Sequence, residues 1–307
     1  MISVTNLSKT YKRGKIKALN DVNFTVNEGE VLGLIGPNGA GKTTLMECML
    51  GLIFPSSGEV QINGYNPSHI EVKKIIGFLP ERAKYDSWMN AREFLGYHYM
   101  LSRQPLGGAK TAIEEALDTV QLVAEARTRP LSTYSKGMLQ RVGLAQMIVG
   151  KPRLCFLDEP TSGLDPTSRN VVRDVIRSWK NEKVTVVLNS HNLDEVERVC
   201  DRVAFVYGGR IATIEKYGEA EDQFTVIVKW SGPEDAFRRL EEIGKHAELE
   251  LSLAEGSSAR FILSSKQQLP QLARSLVNAQ IDVEEMFIEK KGLEKLFEQG
   301  WRQLNEK

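Results

Sequence analysis

The sequence has little that would place it in a membrane or in an oxidising compartment. No apolar run approaches the ~18 residues that a membrane span needs. The opening Met1-Ile2-Ser3-Val4-Thr5-Asn6 lacks the charged and apolar regions of a signal peptide. The expectation is a chain soluble by itself, for which any membrane role requires a partner. Cysteine is scarce: Cys48, Cys155 and Cys200 are an odd number without metal-ligand spacing, expected to stay reduced and to pack as small hydrophobes. Net charge is missing too, with 40 Lys+Arg against 40 Asp+Glu. Bulk charge therefore does not favour nucleic acid, which usually needs a basic face. At 307 residues the chain suits one or two domains with ample core.

What is present is organised around Gly36-Pro37-Asn38-Gly39-Ala40-Gly41-Lys42-Thr43-Thr44, which fits G-x-x-x-x-G-K-[ST]. Val31–Ile35 before it reads as a buried strand, and Leu45, Met49 and Leu52 after it recur at near-helical spacing. A glycine loop between strand and helix lets the backbone wrap an anion closely, with the helix N-terminus supplying free N–H groups and a positive dipole end. Lys42 is expected to reach the β/γ-phosphates of a nucleoside triphosphate, and the Thr43 hydroxyl to ligate Mg²⁺.

Further acids and a histidine follow at strand ends. Ile75–Leu79 is broken by Pro80 and leaves Glu81 just past a strand, where a carboxylate serves Mg²⁺ or an attacking water as readily as it serves a solvated loop. Leu154–Leu157 ends in Asp158-Glu159-Pro160. Two adjacent acids beside an apolar strand call for a cation, so Asp158 suits Mg²⁺ and Glu159 the polarisation of water. Val184–Asn189 ends in Ser190-His191, and an imidazole there can sense a γ-phosphate. Tyr11, before a basic, Gly-containing loop at 12–17, could stack on a nucleobase. Sequence alone favours an ordinary strand-end tyrosine. Tyr134-Ser135-Lys136-Gly137-Met138 opens a helix and reads as a second anion site.

Between these motifs, residues from 87 to about 150 read as a helical insertion. Asn90-x-x-Glu93 and Thr111-x-x-Glu114 resemble helix starts with reciprocal caps, and Ile113, Ala116, Leu117, Val120 and Ala124 form one stripe. Trp88, Phe94, Tyr97 and Tyr99 are more aromatic than a solvated insertion needs; core packing is expected to take most of them and a partner surface the rest. After Gly218 the order β-α-β-β-α-β suggests a small ferredoxin-like α+β domain, with strands at Phe224–Trp230, Leu249–Leu253, Arg260–Leu263 and Ile281–Ile288. Helices are expected at Pro233–Ile243 and along Leu269–Leu276. A last amphipathic helix carries Leu293, Leu296, Phe297, Trp301 and Leu304.

Gly36–Thr44, Tyr134–Met138 followed by Gln140-Arg141, Leu157–Pro160, Ser162–Asp165 and Ser190-His191 stand in one order and spacing. In these the chain resembles an ATP-binding cassette (ABC) ATPase over about residues 2–218. The resemblance implies an α/β P-loop fold with a helical insertion and an antiparallel β subdomain, followed by an accessory domain at 219–307. It implies Tyr11 on adenine, Glu159 as general base, His191 as γ-phosphate switch and Glu81 at the metal. It also implies a head-to-tail dimer in which Ser135, Lys136, Gly137 and Asp165 of one copy close over ATP held by the other. ATP and Mg²⁺ are then the cofactors. The partners are a second ATPase subunit and a separate integral-membrane permease, at the cytoplasmic face of the inner membrane, with no nucleic acid.

Two departures stand out. The usual Leu-Ser-Gly-Gly-Gln is Tyr-Ser-Lys-Gly-Met here, and the usual glutamine after the Ile75–Leu79 strand is Glu81, which adds negative charge beside a triphosphate. Phe-Leu-Pro-Glu together with Tyr-Ser-Lys-Gly-Met resembles the bacterial type-2 exporter ATPases, including the anthracycline, bacitracin, gliding-motility and copper-processing types. A soluble ABC ATPase acting on ribosome or DNA is the competing reading. One cassette, without a heptad insertion, argues against it. A module that binds ATP without turnover is opposed by the intact Asp158-Glu159 and His191.

Overall fold

Five-residue strands buried along their whole length need helices on both faces, and the larger part of the molecule is built that way. The structure is a computed structural model that describes residues 1–11, 14–102, 105–216, 224–231, 239, 250–255 and 257–289. The chain divides into two compact units, Met1–Tyr217 and Gly218–Leu296.

The first unit begins with β1 (Ile2–Tyr11) and β2 (Ile16–Val26), then β3 (Val31–Ile35) and α1 (Lys42–Met49). β4 (Ser57–Ile62), α2 (Ile70–Lys73) and β5 (Ile76–Leu79) follow. The helical insertion contains α3 (Ala91–Leu101), α4 (Ala109–Thr119) and α5 (Lys136–Gly150). The chain then alternates through β6 (Leu154–Asp158), α6 (Pro166–Asn181), β7 (Thr185–Asn189), α7 (Leu193–Val199), β8 (Arg202–Tyr207) and β9 (Arg210–Lys216). Six strands form one sheet in the order β5-β6-β7-β3-β8-β9. All neighbours in it are parallel except β8 and β9. β2-β1-β4 form a separate antiparallel sheet.

One core joins the two sheets: Ile2, Leu7, Leu19 and Val22 pack with Leu34, Phe156 and Val187 around Leu45, Met46 and Met49 of α1. Each such fully buried side chain contributes about 1.5–3 kcal/mol. This core fixes α1, and with it the glycine loop, between the sheets. All three cysteines are buried and free, as expected.

Some local expectations fail for identifiable reasons. β2 already begins at Ile16, so the basic loop expected over 12–17 ends earlier than the sequence suggested. Leu52 does not extend α1 and is 58% exposed. Gly51, at φ 65°, donates to Cys48 O while Leu52 N donates to Glu47 O, which ends the helix. Asn90 and Glu93 form the expected capping box. Thr111 does not start α4, which opens at Ala109, and Glu114 turns instead to Arg92 and Arg127. Ala124 lies exposed beyond that helix, and Leu122 and Ala126 are the buried residues there. The four aromatics divide cleanly, with Phe94 and Tyr99 buried and Trp88 and Tyr97 exposed.

The second unit is an antiparallel sheet of β10 (Phe224–Ser231), β11 (Glu250–Glu255), β12 (Ser258–Leu263) and β13 (Asp282–Glu289), with α8 (Leu269–Asn278) between β12 and β13. Its strand order, β11-β12-β10-β13, sets first and fourth strands side by side as a ferredoxin-like sheet does. Val226, Val228, Trp230 and Phe261 pack against Leu272 and Leu276. The helix expected at 233–243 and the one over 293–304 lie outside the described residues. Among the described residues no helix is long and apolar enough to cross a membrane.

Candidate active site

The parallel register brings the C-terminal ends of β6, β7 and β3 together: Asp158 pairs with Asn189, and Asn189 with Leu34. Such strand ends are where open α/β sheets hold ligands. A cleft of about 500 Å³ opens there. Asn38 to Thr44, Glu81, Asp158, Glu159, Ser162, Asn189 and His191 line it, with Ile16, Lys17 and Ala18 from β2.

Gly36 forms the back of the loop, so close to the neighbouring strand that a Cβ there would lie 2.0 Å from Val206 O. No other residue fits. Lys42 is buried, and its ammonium donates to Gly36 O at 2.7 Å and Pro37 O at 3.1 Å. Burial lowers its pKa, opposed by the charges of Glu159 and Asp158. Thr43, on the first turn of α1, stays exposed.

Asp158 is buried, and its Oδ1 accepts from Asn189 Nδ2 at 2.5 Å. Burial raises its pKa, and Glu159 and Glu81 add to the rise. The Oδ1 of Asn189 is buried without a hydrogen-bond partner. A buried carboxylate with an orphaned amide oxygen beside it, facing a hydroxyl on a helix N-terminus, fits a hard cation. Among the described residues no group of three His, Cys, Asp or Glu could hold a metal. The hard oxygen donors of Asp158 and Thr43 suit Mg²⁺, which takes one or two protein ligands and completes its shell with phosphate and water.

Glu159 has a left-handed backbone at φ 49°, a conformation that costs a non-glycine residue about 1–3 kcal/mol. Its N–H donates to Asn189 O at 2.9 Å. Its carboxylate Oε2 accepts from His191 Nδ1–H at 2.7 Å. The carboxylate is largely enclosed, 12% exposed, while the imidazole is 60% exposed. The pair thus presents an accessible imidazole backed by a shielded acid.

Three of the expected residue groups are not in this cleft. Tyr11 lies at the end of β1, 36% exposed, with Lys9 Nζ 5.2 Å from its ring centroid. Its cross-strand partner Ile16 lines the cleft in its place. Ser135 and Asp165 line a separate hollow of about 290 Å³ with Gln121, Met138, Arg141 and Ser168. Ser135 Oγ caps α5 by accepting from Met138 N at 3.3 Å. Asp165 caps α6, accepting from Ser168 Oγ and Ser168 N, which hold its carboxyl below the usual range. Gly137 lies where α5 meets α6, and a Cβ would sit 2.5 Å from Ser168 Oγ. Lys136 packs over Gly163, whose Cβ position is 2.8 Å from Nζ.

Sequence reasoning did not single out Asn189 as a site residue, nor Lys17, Thr161 or Glu195. Asn189 carried a readable signal, a polar residue at a strand end level with Asp158.

Comparison with known proteins gives this arrangement its class. The ABC transporter family model matches residues 19–162. The ABC transporter ATP-binding protein all4389 of Nostoc is 41% identical over 69% of this chain, a match that spans 65% of that protein's length. YhcH of Bacillus subtilis, also an ABC transporter ATP-binding protein, is 32% identical over 97% of this chain and 94% of its own. The dimeric structure of MJ0796, a bacterial ABC transporter cassette, superposes with a TM-score of 0.66 at 26% identity, covering 72% of this chain and all of that one. The chain belongs to the ATP-binding subunits of ABC transporters. It binds and hydrolyses ATP and works with a membrane permease, in the dimeric architecture of that family.

Proposed function

We propose that the chain is the ATPase of a bacterial type-2 exporter, acting as a head-to-tail homodimer beneath a separately encoded permease, at the cytoplasmic face of the inner membrane. The observation that carries the mechanism is the Glu159–His191 pair at the β6 and β7 ends, facing the glycine loop. Glu159 is the general base for water, and His191, doubly protonated, donates Nδ1–H to Glu159 Oε2 and Nε2–H to the γ-phosphate. Lys42 exchanges two carbonyl partners for phosphate oxygens. Thr43 and Asp158 would hold Mg²⁺ with Glu81 nearby. Bound there, the metal would neutralise charge developing between the β- and γ-phosphates. Tyr11, at the rim of β1, stacks on adenine once its ring turns from Lys9.

Two observations support the dimer. Ser135 and Asp165 share a hollow apart from the cleft, and Ser135 stands at a helix N-terminus suited to phosphate. Ser135, Lys136 and Gly137 of one copy then meet the nucleotide on the other, with Asp165 alongside. The exposed Trp88, Tyr97, Met100 and Leu101 form the face that receives permease helices. Residues 1–218 are the ATPase domain and 219–307 an accessory domain, and nucleic acid is not a partner. The exporter subtype rests on Phe-Leu-Pro-Glu and Tyr-Ser-Lys-Gly-Met.

Affinity purification of Glu159→Gln from a native membrane extract with Mg·ATP tests the proposal. A stoichiometric multi-helix membrane protein is expected. Recovery of ribosomes or DNA without one would refute it.

A further inference from the structure

Glu195, on α7, is 2% exposed, and its carboxyl joins two loops of the cleft. Its Oε2 accepts from Thr161 Oγ1 and, at 3.4 Å, from Ser190 Oγ. Thr161 lies two residues past Glu159 and is itself buried. Ser190 directly precedes His191, and its Oγ accepts from Asn192 N at 3.0 Å on the other side of that histidine. Glu195 Oε1 is buried with no partner, and burial raises the carboxyl's pKa despite the charges of Arg173 and Arg169. A buried, partly unsatisfied carboxyl costs stability, and such costs persist where surrounding structure needs the group.

Both loops need holding. Glu159 is in a strained backbone conformation, and His191 is mostly exposed on a short turn between β7 and α7. The two side chains are joined directly by the 2.7 Å bond. Beneath it, the Thr161–Glu195–Ser190 chain forms a second bridge, shielded from water, between the same two segments. Such a bridge sets how far apart the two functional groups stand, and a displacement of about 1 Å can cost on the order of 10²-fold in rate.

We infer that Glu195 is a positioning residue for ATP hydrolysis, and that its buried bridge from Thr161 to Ser190 locks the Glu159 loop to the His191 loop. The inference rests on the reading of Glu159 and His191 given above. The test is steady-state ATP hydrolysis by the full chain in Thr161→Val, Glu195→Ala, Glu195→Gln and Glu159→Gln, each with fluorescent-nucleotide binding and a thermal melt. Thr161→Val and Glu195→Ala are expected to lose roughly 10–100-fold in kcat, with KM for ATP and nucleotide affinity within about twofold of wild type. Glu195→Gln keeps one acceptor and one donor in the same volume and is expected to recover most of that loss. If Glu195→Ala fails to fold, Thr161→Val against Glu195→Gln decides. Wild-type kcat in the folded Thr161→Val and Glu195→Ala proteins would overturn the inference, as would a parallel fall of kcat, nucleotide affinity and melting temperature. Loss of turnover in Glu159→Gln alone would leave the general base standing and refute only the bridge. Wild-type turnover in Glu159→Gln would remove both.

Discussion

The cleft at the ends of β3, β6 and β7 and the hollow at the start of α5 are both anion-seeking sites, yet they are finished to different degrees. In the cleft, lysine, acids, hydroxyl and histidine from four segments face one another within a single chain. In the hollow, Ser135 and Asp165 spend their oxygens on capping their own helices, and no catalytic group faces them among the described residues. The first is a site for chemistry, while the second is a surface with a helix N-terminus and small residues suited to completing a site elsewhere. The difference teaches that one copy of this fold holds all of the proposed acid–base machinery and only half of each proposed nucleotide enclosure.

Removing chemistry from the cleft should give the largest effect. Glu159→Gln is expected to lower hydrolysis on the order of 10²–10⁴-fold while retaining ATP binding, measured by phosphate release beside a nucleotide-binding titration. Hydrolysis near the wild-type rate would end the general-base assignment. Lys42→Ala comes next. It removes a charge-assisted contact worth about 1.5–3 kcal/mol, so ATP affinity should fall roughly 10–100-fold. The fold should not suffer, because a partly desolvated ammonium leaves with the side chain. A melting temperature that dropped sharply would show that Lys42 supports the loop instead.

The smallest effect belongs to an ion-pair cluster behind the hollow, tied to it through Leu122 of its lining. Arg127 donates to Leu122 O at 2.9 Å and pairs with Glu114, which also takes Arg92. The Arg92 and Arg127 guanidiniums hold the Glu114 carboxyl down at about 2, below its ordinary 4.5. A depressed carboxylate stabilises the fold above its ordinary pKa, and that contribution is lost as pH falls through its folded value. The melting-temperature gap between wild type and Glu114→Gln should therefore be constant above pH 4.5 and narrow as the pH drops toward about 2. A gap that widened on acidification would contradict the pairing.

Much of this contrast was legible in the sequence, unevenly so. The glycine loop, Asp158-Glu159 and Ser190-His191 could be read because strands buried along their length leave their polar residues only at the ends. The Asn90 cap followed from local pattern as well, whereas which aromatics are buried, Phe94 and not Trp88, did not. Leu52 misled because helical spacing says nothing of a glycine cap at Gly51. Thr111 misled because Glu114 had stronger partners in Arg92 and Arg127, residues distant in sequence. Glu195 could not be found by pattern: it sits among ordinary helix residues, and only the approach of Thr161 and Ser190 gives it meaning. The strain at Glu159 is likewise invisible without a backbone.

The division of labour between cleft and hollow is tested most directly by mixing two inactive variants, Lys42→Ala and Ser135→Arg, and measuring ATP hydrolysis. Each variant alone should be nearly silent, one for want of phosphate binding and the other because its helix N-terminus is blocked. In a mixed head-to-tail pair, the intact loop of the Ser135→Arg chain meets the intact Ser135 of the Lys42→Ala chain, so activity should reappear on mixing. Two variants that stay silent together, while each still folds and pairs, would contradict the shared site.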